Sequence, residues 1–135
     1  MKPHEEVKRT LVQQWVSMAE EDLSAARTLL DAGTQFVNTA AFHAQQAAEK
    51  FLKAYLVHRQ VEFPKTHDIE DILDLVATVD HEMAQSLRLA SALNPYAVQA
   101  RYPGVAYILT VQDAQDAVAI AHRVRETVLA KLGLA

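Results

Sequence analysis

A chain of 135 residues with a formal net charge of -4 and no cysteine is long enough for a single domain that buries about two thirds of its unfolded surface without metal or disulfide. The missing cysteines exclude a disulfide framework and thiolate chemistry, and the acidic balance argues against strong non-specific nucleic-acid binding while allowing a local basic patch. No apolar run approaches the ~18 residues of a membrane span and "MKPHEEVKRT" lacks the apolar stretch of a secretory signal, so the expectation is a cytoplasmic protein without a membrane partner.

Twenty-three alanines against 3 glycines and 4 prolines favour helix throughout. Residues 1–7 are polar and are expected to fray. A first helix is expected from about Lys8 to Asp31, with Leu11, Trp15, Ala19, Leu23, Ala26 and Leu30 inward and Gly33 just past its end. A second runs from about Gln35 to Arg59. Phe36, Ala40, Ala44, Ala47, Phe51, Ala54 and His58 recur on it every three or four positions, and Ala41, Ala48, Leu52 and Tyr55 widen that face. So broad an apolar surface marks the central helix, packed antiparallel to the first across a short connection. Pro64 then stops the chain, and Thr66 is a suitable N-cap for a third helix starting at His67, with Asp68, Glu70 and Asp71 in its first turn. Asp80 caps a fourth, short helix with Met83, Leu87, Ala90 and Leu93 inward. "NPYAVQARYPGVAY" is the least helical stretch and holds Tyr96, Arg101, Tyr102 and Tyr107. The last helix opens at Thr110, where Asp113 completes an approximate capping box, and ends before Gly133.

The central helix carries one anomaly. His43, Gln46 and Lys50 follow one another along an edge of its apolar face. Buried polar groups need partners, and a buried ammonium needs a carboxylate or an anion. This row is therefore either a structural network or the wall of a site. Asp22, at i+7 from Trp15 on the first helix, is either a solvated edge residue or the partner of Lys50 or His43. His67 is either part of a plain cap or a side chain projecting from a helix start that favours anions. In the long connection, the tyrosines either anchor the loop or stack on a base, with the Arg101 guanidinium beside Tyr102 offered to phosphate.

Other chemistry is missing. There is no Gly-rich phosphate loop, nucleophile elbow, HExxH or di-iron Glu-x-x-His pair, so no metal or cofactor is expected. Acid/base work would fall to His43 or His67, with Lys50 or Arg101 stabilising an anion.

Three segments together resemble the HEPN domain: "WVSMAEEDLSAARTLL" with Trp15 and Asp22, "FHAQQAAEKFLKAYL" over residues 42–56, and "KTHDI" followed by "LNPYAVQARYP" over residues 93–103. The resemblance implies an all-α, up-and-down bundle of four or five helices that commonly forms a homodimer. It also implies nucleotide or RNA biology, often beside a minimal nucleotidyltransferase in a toxin–antitoxin-like pair. Some members are metal-independent endoribonucleases whose active motif is an Arg followed four to six residues later by a His. Here "RYPGVAYILT" after Arg101 supplies no such histidine. The expected function is thus a module binding a nucleotide or RNA phosphate through His43, Gln46, Lys50, His67, Tyr96, Arg101 and Tyr102. One alternative is an endoribonuclease with an atypical site using His67 and Arg101; the other is a purely structural interaction module.

Overall fold

Alanine at six positions of one helix lets its neighbours approach closely, and the bundle is built on that. The computed structural model describes residues 3–97 and 109–135. It contains α1 (Pro3–Ala32), a 3₁₀ turn (Thr34–Phe36), α2 (Val37–His58), α3 (Ile69–Ala77), α4 (His81–Ser86), a 3₁₀ segment (Arg88–Ala97) and α5 (Val111–Leu132), with no strand among the described residues. Ala40, Ala41, Ala44, Ala47, Ala48 and Ala54 of α2 are fully buried, as are Phe51, Leu52 and Leu56. Burying a side chain of the latter size contributes about 1.5–3 kcal/mol each. α1 packs along one side of α2 and α5 along another.

The pairings fix the directions. Asp22 of α1 meets His43 of α2, while Trp15 of α1 lies under Lys53, further along α2, so the two helices run antiparallel. Glu20 pairs with Arg125 and Arg27 with His122, so α5 is antiparallel to α1 and parallel to α2. This is an all-α up-and-down bundle, as the sequence implies. None of the described helices is long and apolar enough to cross a membrane.

Several details differ from expectation. α1 is already helical at Pro3 rather than Lys8, because Glu5 and Glu6 suit its first turn and Glu5 reaches Lys8 at 3.3 Å. Leu11 is 42% exposed, whereas Val12 is buried. At about 100° per residue, Leu11 stands roughly 120° from Leu23 and Val12 only about 20°, so a straight helix turns Leu11 off the face that Ala19, Leu23 and Ala26 share. The N-cap of α3 is Asp68, not Thr66: its side chain accepts from the backbone N–H groups of Glu70 and Asp71, while Thr66 Oγ1 accepts from the Asp68 N–H one step earlier. His67 is thereby left outside the helix. The expected fourth helix is split, since the chain tightens into the 3₁₀ segment after Leu87, and Met83, Leu87, Ala90 and Leu93 nevertheless all point inward.

The remaining signals hold. Asp80 caps α4 through the Met83 N–H. Thr110 and Asp113 form a reciprocal capping box on α5, and Gly133 closes that helix in the left-handed region at φ 73°.

Candidate functional site: two polar rows on the central helix

α2 carries two polar rows side by side. The first faces α1. One carboxylate, Asp22, receives two donors: His43 Nδ1 donates to Oδ1 at 2.9 Å and Lys50 Nζ to Oδ2 at 2.5 Å. His43 and Lys50 are two helical turns apart, which puts them on one face, and Asp22 reaches between them from α1. The side chains of Asp22, Lys50 and His43 are 13%, 18% and 30% exposed, so the cluster touches solvent. The edge of Phe42 lies against the His43 ring, with centroids 5.4 Å apart.

The second row is buried. Gln45, Glu49 and Lys53 follow at successive turns and are 0%, 2% and 5% exposed. Glu49 takes the Lys53 ammonium at 3.0 Å and the Gln45 amide at 3.2 Å. Lys53 also donates to the carbonyl of Thr66 at 2.8 Å. Its charge stands 5.6 Å above the Trp15 ring and 5.7 Å above Phe63, two faces that favour a cation. A buried charge pair is tolerated only when its remaining hydrogen-bonding groups are satisfied, and here the peptide before α3 does that.

His67 joins this row from outside. Its Nδ1 lies 3.0 and 3.2 Å from the two Glu49 oxygens, yet its side chain is 71% exposed. A carboxylate oxygen accepts, so Nδ1 carries a hydrogen, which leaves Nε2 as the ring nitrogen that Glu49 does not engage. The Gln45 amide also holds the His67 carbonyl at 3.3 Å. Gln46 links the rows, donating to Gln45 Oε1 at 2.7 Å.

The structure therefore gathers His43, Gln46, Lys50 and His67 around one stretch of α2. Tyr96 is buried in the 3₁₀ segment and lines a hollow with Asp113, Asp116 and Ile120 of α5. Arg101 and Tyr102 lie outside the described residues.

A model of the HEPN domain matches residues 12–132. The chain belongs to the HEPN domain family. Two solved structures are similar to it: TT1696 from Thermus thermophilus, at 27% identity and a TM-score of 0.70 over 89% of this chain and 97% of that one, and ST0689, an archaeal HEPN homologue, at 28% and 0.69 over 89% and 96%. No curated protein matches the chain.

In this HEPN domain the polar residues overlooked by sequence reasoning are Gln45, Glu49 and Lys53. Their spacing at i, i+4 and i+8 puts them on one helical face, but a Gln, a Glu and a Lys so spaced read equally well as a solvated stripe. Asp22 is the shared partner of Lys50 and His43, not a solvated edge residue.

Proposed function

We propose that this HEPN domain binds the phosphate of a nucleotide or RNA on the α1–α2 flank and partners a minimal nucleotidyltransferase in a toxin–antitoxin-like pair. The observation that carries this reading is the convergence of Lys50 and His43 on one carboxylate in a partly open position. Two donors aimed at the two oxygens of Asp22 are spaced to meet two oxygens of a phosphate in its place. Gln46 supplies an amide on the same flank. Arg101 and Tyr102 enter on their sequence alone, as a second cation and a stacking ring. Association draws support from α1, where Val7, Leu11 and Met18 are 59%, 42% and 48% exposed and lie within about 40° of one another around the helix. That stripe suits a homodimer or a partner chain. In calorimetry, replacing Lys50 and Arg101 together with alanine abolishes salt-sensitive nucleotide binding; unchanged affinity in the double variant removes the reading.

A second reading, metal-independent RNA cleavage, is favoured by His67. A buried carboxylate orients its ring and leaves Nε2 open to solvent, the arrangement a general base requires. Nε2 would take the proton of a ribose 2′-hydroxyl as that oxygen attacks phosphorus, the 5′-oxygen leaving and taking a proton from water, with Arg101 stabilising the pentavalent phosphate. Labelled RNA incubated in EDTA tests it: wild type cleaves and His67→Ala does not. No cleavage by wild type, or equal cleavage by both, rejects it.

A further inference from the structure

At the end of the bundle where α1 begins and α2 and α5 finish, the three helices leave a cleft of about 390 Å³. That volume falls within the range of small-molecule sites, about 300–1,000 Å³. Its lining is mixed: Val12, Leu132 and Leu134 are apolar, while Lys8, Arg9, Gln13 and His58 supply donors. One carboxylate, Glu5, also lines the cleft, and it is already engaged by Lys8 at 3.3 Å and His4 at 3.5 Å. Arg9 has no partner among the described residues, so the cleft keeps an uncompensated cation beside a hydrophobic surface.

We propose that this cleft binds a small amphipathic anion, its carboxylate or phosphate head held by Arg9, Lys8 and His58 and its apolar body laid on Val12, Leu132 and Leu134. The site is separate from the α1–α2 flank: His58 lies eight residues beyond Lys50, about 12 Å along the axis of α2.

The state of His58 agrees with the geometry. Burial first, then the charges of Lys8 and Arg59, hold its pKa below the ordinary 6.5, while Glu5 acts in the opposite sense. The groups around it are Glu5, Lys8 and Arg9 from α1, Arg59 and the Tyr55 ring from its own stretch of chain, and Leu132 from α5, whose neighbour Lys131 is engaged by Asp80. A bound anion opposes the burial and cationic effects and raises the His58 pKa. Binding therefore takes up a proton and strengthens as pH falls through the raised pKa of the bound state toward the depressed one of free His58.

Titration of the full chain with octanoate, octyl phosphate and inorganic phosphate, followed by NMR, tests this. At least one octyl probe moves the His58 and Leu132 signals, and inorganic phosphate binds at least tenfold more weakly. The tighter octyl probe identifies the head group as carboxylate or phosphate. Arg9→Glu, at an exposed and unpaired position, weakens the octyl probes at least tenfold. Leu134→Ser weakens them without altering inorganic phosphate, and Arg123→Ala, at an exposed position of α5 outside the cleft, changes neither. Absence of octyl binding at millimolar concentration, shifts confined to another face, or undiminished affinity in Arg9→Glu overturns the proposal.

Discussion

Each polar row sets a carboxylate, a lysine and a histidine together, Asp22 with Lys50 and His43 in one and Glu49 with Lys53 and His67 in the other, and the two differ in what surrounds them. Asp22, His43 and Lys50 meet at the rim of the α1–α2 seam, whereas Gln45, Glu49 and Lys53 are sealed inside. A sealed ion pair contributes mainly through the penalty of breaking it, because either ion left alone is stranded away from water. A pair at the rim can exchange its partner for water or for a ligand anion. The buried row thus holds the peptide before α3 and orients His67, and the rim row is the one whose ions can exchange partners with solvent.

This contrast can be broken by mutation. The largest effect is expected in the buried row: Glu49→Ala or Lys53→Ala lowers stability by about 3–5 kcal/mol, read by urea or thermal unfolding. Replacing Glu49 and Lys53 together with methionine recovers much of that loss, since no lone charge is left behind. Equal losses from single and double variants would place the pair's value in specific hydrogen bonds instead.

At the rim, Asp22→Asn costs less, about 1 kcal/mol, because the amide keeps hydrogen-bond capacity and Lys50 retains water. A loss as large as that in the buried row would erase the distinction. His67→Ala is milder still in stability, roughly 0.5–1.5 kcal/mol, since Glu49 retains Lys53 and Gln45.

The smallest effect lies outside both rows. The Lys131 ammonium, then the Met83 N–H, hold the Asp80 carboxyl below its ordinary 3.8. A carboxyl depressed in the folded state stabilises the fold above its unfolded pKa and loses that contribution as pH falls through the folded one. Wild type therefore loses stability on acidification below about pH 4 more steeply than Asp80→Asn does, by a few tenths of a kcal/mol because the pair is at the surface. Parallel acid profiles contradict this.

How much of this was legible in the sequence depended on whether the cause was local. The caps at Asp80 and Thr110 and the stop at Gly133 are local chemistry, and they stand where expected. Asp68 rather than Thr66 caps α3 because both side chains can cap that turn and Asn94, distant in sequence, takes the Ile69 N–H and donates to Asp68. Leu11 and Val12 exchanged places because four-residue steps drift around a straight helix. The HEPN fold itself was readable from three segments spread across the chain. The candidate site was half readable. Lys50 and His43 stood out as polar residues at the edge of an apolar face, and Asp22 was a named partner for them. Glu49 and Lys53 did not stand out, because an i, i+4 Glu–Lys pair looks the same on a solvated face as in a core. Only the packing of Trp15 and Phe63 over Lys53 separates the two cases, and that contact joins residues far apart in sequence.

If the α1–α2 flank exchanges its carboxylate for a phosphate, calorimetric titration of a 5′-nucleotide at low and physiological salt separates two variants from wild type with opposite signs. Asp22→Asn tightens binding several-fold by releasing Lys50 and His43, although it lowers stability, and Lys50→Ala weakens binding at least tenfold. Two variants that bind like wild type, or that both weaken in proportion to their loss of stability, would contradict it.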